Sequence, residues 1–276
     1  MRITEAILRE LDRRRFLGFP IWGFSFNSLS RPYGHFFLRE VVLRHPLRTL
    51  RGLWVYRRVM RGGGLITRLF SSDDEAFVDR TACHEDGFLV ALSFCQKPPG
   101  DGAGHGRCPV ERFNHECAVL GRSDPFVSEE HLHLPCRACD VRAFGLAALR
   151  AGAAVYVMTS AADIGRDILA PVIERGRFRQ GIFFLCPYSV PAFTVPLCIG
   201  RMEALFVPYD AGDCRNYGQF IRADVGQKDE RTQLSGATRE RTMALLERIA
   251  AARGPTPLEH FQREGALFVP ATDRNG

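Results

Sequence analysis

A Rossmann-like three-layer α/β fold with a mostly parallel sheet, preceded by a basic helical region, is the architecture this sequence predicts. The first observation behind it is an alternation. From residue 136 onward, apolar runs of strand length take turns with helical stretches that carry an apolar face. The second is size and composition: 276 residues, 46% of them hydrophobic and 25% charged, can bury a full core. The third is that no stretch reaches the ~18 uncharged apolar residues of a membrane span.

Residues 1–64 form the basic, aromatic region and end in Gly62-Gly63-Gly64, which reads as a hinge to a cysteine-rich α/β domain over 65–276. Within them "HFFLREVVLRHPLRTLRGLWVYRRVMR" predicts helices broken near Pro46, with arginines set among apolar side chains. Packing on the protein's own core is the first expectation for residues 32–61. Docking on an anionic membrane or a protein partner is the alternative, and nucleic acid is not an expected partner. The formal charge of +6 adds little, because it is nearly all arginine; Lys97 and Lys228 are the only lysines.

Next, "LITRLFSSDDEAFVDRTACHEDG" predicts a helix and a turn, and "FLVALSFC" a strand. The loop "QKPPGDGAGHGR" has its glycines two apart and opens no helix, so it is neither a dinucleotide fingerprint nor a P-loop. "DVRAFGLAALRAG" is a helix closed by Gly152, and "AAVYVMTS" a buried strand. "AADIGRDILAPVIERGRF" returns as a helix despite Pro171, and "GIFFLCPY" is a second buried strand. "SVPAFTVPLCIGRM" is a helical or irregular link to the strand "EALFVPYD". "TRERTMALLERIAAARG" closes the pattern as a helix, with a tail beyond it. Strands joined by helical crossovers pair in parallel, which buries both faces of the sheet.

The N-terminus holds Glu5, Glu10 and Asp12 and no long apolar run, so no secretory signal is read there, and the expected compartment is the cytoplasm. Thiols stay reduced in that compartment, and nine cysteines, an odd number, read as ligands, nucleophiles or small buried hydrophobes. Ligands of a parallel sheet collect beyond the carboxyl ends of its strands. Cys95, Cys186 and Cys214 follow such ends, while Cys136 and Cys139 open a helix, so five cysteines are expected on one rim. The sulfurs of Cys95, Cys139, Cys186 and Cys214 are expected within reach of a common cofactor.

Cys108, Cys117, Cys136 and Cys139 are the first-choice metal ligands. Cys136-x-x-Cys139 lets two thiolates grip one ion or cluster, and the other two complete a four-thiolate set. An iron–sulfur cluster of the 4Fe–4S type is the leading account. A structural zinc, held by the same four or with His115, is the alternative, and dithiol redox chemistry at Cys136 and Cys139 comes third. Cys95, Cys186 and Cys214 form a second, cofactor-binding set, replace one of the four, or face a substrate. Cys83 and Cys198 read as structural.

His115, His131 and His133 read as hydrogen-bonding residues, with His115 the first to test as a ligand. The polar stretch "YDAGDCRNYGQFIRADVGQKDERTQLS" reads as a solvated loop, or as a site where Arg215, Arg222 and Lys228 meet a polar or anionic substrate. Thr159 and Ser160 read as helix caps before they read as phosphate ligands. No serine-nucleophile elbow, Walker motif, HExxH or kinase signature is present.

The order Cys108-Pro109, Cys117, Cys136-x-x-Cys139, helix, strand, then Cys186 after a further strand resembles a family of prokaryotic cysteine-rich domains of unknown function. Iron–sulfur binding is ascribed to that family. The likeness spans Cys108 to Cys186 and implies metal binding without implying a reaction. The expected function is therefore metal binding, iron–sulfur in type, with an oxidoreductase or cluster-dependent accessory role. The alternative is a zinc-stabilised, non-catalytic scaffold that docks through residues 32–61.

Overall fold

Apolar residues at consecutive positions, rather than alternate ones, mark the central strands, and burial on both faces follows. The computed structural model of the protein describes residues 2–83, 87–100, 106–254 and 259–271. Part of the glycine-rich loop read above, residues 101–105, lies outside the described residues.

The chain begins with α1 (Arg2–Arg13), α2 (Trp22–Ser28) and α3 (Pro32–Phe36), which runs on through a π-turn over Phe37–Leu43. Helix α4 (Pro46–Met60) starts with the proline in its first turn, where the missing N–H costs no hydrogen bond. There follow β1 (Arg68–Leu69), α5 (Asp74–Ala82), β2 (Phe88–Ser93), the short α6 (Leu134–Arg137), α7 (Asp140–Arg150) and β3 (Ala154–Met158). Helices α8 (Ala161–Ile164) and α9 (Ala170–Arg175) are joined by a π-turn over Gly165–Leu169, which lets the helical path pass Pro171. Then come β4 (Gln180–Leu185), α10 (Val190–Gly200), β5 (Glu203–Pro208), α11 (Tyr217–Asp224), α12 (Gly236–Arg253), β6 (His260–Glu264) and β7 (Leu267–Ala271).

These strands form one sheet in the order β1-β5-β4-β2-β3-β7-β6. The central four, β5-β4-β2-β3, are parallel, and the edge strands are antiparallel. Helices cover both faces. Phe88, Val90 and Leu92 pack with α5, α7 and α12, while Leu89 and Ala91 pack with α4, α9 and α10. The N-terminal region belongs to the second layer: Tyr56 is fully buried, and a Cβ on Gly52 would meet Ile199 of α10 at 2.5 Å. Only glycine permits that approach of α4 to α10.

Three expectations need correction. The tail after α12 contains a hairpin, β6–β7, that extends the sheet beyond β3; its two-residue turn uses Gly265 at φ +62°. Of the helix and turn expected over 65–87, the helix is Asp74–Ala82, because Arg68 and Leu69 instead pair with β5; residues 84–86 lie outside the described residues. The polar stretch after β5 is not all loop: Asn216 accepts the N–H of Gln219 and so starts α11. Among the described residues no helix is long and apolar enough to cross a membrane.

Candidate functional site

Strands β2, β3, β4 and β5 all end at the same edge of the sheet, and Cys95, Cys186 and Cys214 follow those ends. The chain passes from β2 to β3 on one side and then crosses to β4 on the other. Where the winding reverses in this way, the loops after the two strands diverge and leave a crevice. Cys95 and Cys186 stand at its two lips, directly after β2 and β4.

The predicted site cysteines divide into two groups. Cys108, Cys117 and the Cys136–Cys139 pair come from three stretches of backbone and line one small cavity of about 10 Å³. Lys97, 1% exposed, lines it too. Its ammonium donates to the carbonyls of Glu111 (3.3 Å) and Asn114 (2.9 Å) and to Asn114 Oδ1 (2.7 Å). Burial pulls the Lys97 ammonium below its usual range, and the nearby thiols of Cys108, Cys117 and Cys139 act against that. Burial pushes the thiols of Cys136 and Cys139 up to about 11 and raises Cys117 as well. The N–H groups of Arg142 and Val141, at the start of α7, counter part of this at Cys139.

The donor set fits a thiophilic metal: four sulfurs and one buried cation, which would offset the net negative charge of a tetrathiolate centre. The space as it stands accepts one water-sized particle. That volume is nearer to a single ion than to a cubane. As the side chains stand, no three His, Cys, Asp or Glu among the described residues form a metal-gripping group.

The second group is Cys95, Cys186 and Cys214, which line a much larger cavity of about 360 Å³. Cys139 lines the small cavity rather than the large one, although Cys95, Cys139, Cys186 and Cys214 all belong to the same buried layer on one side of the sheet. Cys186 Sγ accepts the backbone N–H of Cys214 at 3.2 Å, and Lys228 Nζ reaches Cys214 Sγ at 3.5 Å. The two thiols shift in opposite directions. The Cys186 thiol is raised, while hydrogen bonding from Cys186 and then the Lys228 charge bring Cys214 down to about 6 despite burial. Burial raises Cys95 to about 11.

Arg112, 7% exposed, locks the two groups together. It donates to the carbonyls of Cys95 (3.1 Å), Lys97 (3.1 Å), Glu230 (2.7 Å) and Lys228.

Other predicted residues have settled roles. His115 must carry its proton on Nδ1, because that nitrogen donates to the Val157 carbonyl at 2.8 Å; Nε2 faces Thr159, and the residue is absent from the small cavity's lining. Ser160 caps α8 by accepting the Asp163 N–H, and the Asp224 carboxylate accepts the Ala161 N–H at 2.6 Å. An internal carboxylate therefore already occupies the helix start where a phosphate was the alternative. Arg215 and Arg222 are exposed and line neither cavity. Cys83 is exposed, and Cys198 is buried in α10 with its thiol raised to about 12 by burial.

Lys97 as a partner of the cysteines, Lys228 on Cys214, and Arg112 were not anticipated. The signal for the lysines was available: a chain that uses arginine almost everywhere keeps two lysines, one beside each cysteine group. A compact ammonium fits beside sulfur in a tight site where a planar guanidinium does not. No protein-family model, curated protein or solved structure matches this chain.

Proposed function

We propose that the protein is a cysteine-ligated metal protein of the cytoplasm, iron–sulfur in type, with an oxidoreductase or cluster-dependent accessory role. The observation that carries this reading is the meeting of Cys108, Cys117, Cys136 and Cys139 around one cavity, with a buried lysine in its wall. When bound, an iron–sulfur cluster supplies one-electron chemistry there. The chain's own contribution is to hold four sulfurs, to balance their charge through Lys97, and to keep water out by burial. The order of these cysteines, with its resemblance to the cysteine-rich family above, supports iron over other metals. The strand order and the helices on both faces support a Rossmann-like reading of the fold, in which the crevice between β2 and β4 is the substrate position.

Zinc is the second reading, favoured by the small volume of the cavity, about 10 Å³. The protein purified without oxygen tests both. Iron with acid-labile sulfide and a broad visible absorption band supports the first reading; one colourless zinc per chain replaces it with the second.

The N-terminal region supports work at a membrane surface. Of sixteen large hydrophobic residues exposed among the described residues, thirteen lie within the first 70 positions, including Leu47 at 71% and Trp54 at 64%. Residues 1–64 hold thirteen arginines against four carboxylates, whereas the rest of the chain is net negative. Apolar side chains among fixed positive charges suit an anionic lipid surface.

A further inference from the structure

We propose that the 360 Å³ cavity is a binding site for a single apolar chain that ends in an uncharged polar group. This inference does not depend on the metal reading. Protein interiors leave few voids larger than a water molecule, so a space of this size at a sheet's carboxyl edge has the dimensions of a ligand site. Its cover and its floor differ in chemistry. The cover comes from α2, α3 and the π-turn after it, with Phe24, Phe36 and Leu38 turned toward the space. Pro196 and Phe193 of α10 extend that apolar wall.

The floor is the row of strand ends, and its polar groups are already satisfied within the protein. The Ser93 hydroxyl accepts from the Cys95 N–H, Thr159 donates to Asp163, and Asp224 is held by the Ala161 N–H. No basic side chain lines the cavity, and the nearest ammonium, Lys228, is already engaged by the Cys214 sulfur at 3.5 Å, so an anionic head would find no free counter-charge and would face the Asp224 carboxylate. A neutral head has a suitable place beside Cys186 and Cys214. The ligand class is thus a long-chain alcohol, whose hydroxyl can donate to the Cys214 sulfur, not a fatty-acid anion or a nucleotide.

Fluorescence of the neutral probe N-phenylnaphthylamine, with dodecanol as competitor, tests this on the full-length protein. Saturable binding of about one equivalent, displaced by dodecanol, is expected. Ala192→Trp and Val195→Phe fill the cavity from α10 and should each weaken binding at least tenfold. Leu47→Asp with Trp54→Asp, on the exterior face, should leave it unchanged. Dodecanol should also slow disulfide exchange at Cys214 in the unaltered protein, a readout that needs no variant. Absence of saturable binding, retention of affinity in folded cavity-filled variants, or loss only in the exterior variant would overturn the proposal.

Discussion

The thiol of Cys214 gives the sharpest test of the site's electrostatics. Hydrogen bonding from Cys186 and the ammonium of Lys228 move it from an ordinary value of 9.0 to about 6, so it is mostly thiolate at neutral pH. Replacing both partners, Cys186→Ala with Lys228→Met, removes these influences and leaves burial to hold the value at or above 9.0. At pH 7 the thiolate fraction would then fall from ~0.9 to ~0.01, about 90-fold. Intrinsic nucleophilicity rises with thiol basicity along a slope of ~0.4–0.5, which returns roughly 15- to 30-fold. The net loss at pH 7 is therefore only ~3- to 6-fold, but it grows to ~30- to 60-fold at pH 5 and reverses sign above about pH 7.7. Exchange with a small neutral disulfide, followed by mass spectrometry of the peptide that carries Cys214, reads this directly. The two rate profiles should cross. Cys186→Ala alone should move the midpoint further than Lys228→Met alone, since its hydrogen bond is the largest influence. Parallel profiles, or a midpoint near pH 9 in the unaltered protein, would refute the assignment of Cys214 as the thiolate of the pair.

Three further outcomes are expected. Cys136→Ser and Cys139→Ser should each lose most of the bound metal by elemental analysis, while Cys83→Ser and Cys198→Ser keep it; equal occupancy in all four would end the metal proposal for this pair. Gly52→Leu forces α4 away from Ile199 and should cost about 1–3 kcal/mol in denaturant unfolding, the usual cost of overpacking, whereas an unchanged midpoint would mean that α4 does not pack as described. Full-length protein should sediment with anionic lipid vesicles and release in high salt, and Leu47→Glu with Trp54→Glu should abolish this without changing metal content. Sedimentation that survives those changes would place the lipid-facing surface elsewhere.

The parallel core was legible because its strands are buried on both faces, so "FLVALS", "AVYVM" and "GIFFL" carry apolar residues at nearly every position. The edge strands were not. Arg68 and Leu69 form only two residues of pairing, and β6 reads His-Phe-Gln-Arg-Glu with one buried side chain, a pattern no stronger than a loop's. Tertiary pairing, not local propensity, makes them strands. The cysteine groups were half legible. Strand ends locate Cys95, Cys186 and Cys214, because the carboxyl edge follows from parallel pairing. That Cys139 lines the small cavity rather than the large one depends on how residues 106–139 fold back over the edge, and irregular backbone leaves no period in the sequence to read. The 360 Å³ cavity was hidden for a related reason, since about a third of its wall comes from residues 21–42, far from the strand ends in sequence.

A single turn joins what the two cysteine groups do. Ser93 and Gln96 bond each other's backbone across the turn after β2: the Ser93 hydroxyl accepts from Cys95, and the Gln96 side chain accepts the Ser93 N–H at 2.9 Å. This capping box holds Cys95 toward the large cavity and, two residues later, Lys97 toward the four cysteines of the small one. Arg112 and Arg231 grip the carbonyls of Cys95, Gln96 and Lys97 from outside, so the turn has little freedom to relax. A charge gained or lost at the proposed metal would act first on Lys97, whose backbone lies two residues from Cys95. The shortest covalent path between the proposed metal and the proposed ligand is therefore the Cys95-Gln96-Lys97 backbone, held rigid at both ends by buried or partly buried arginine.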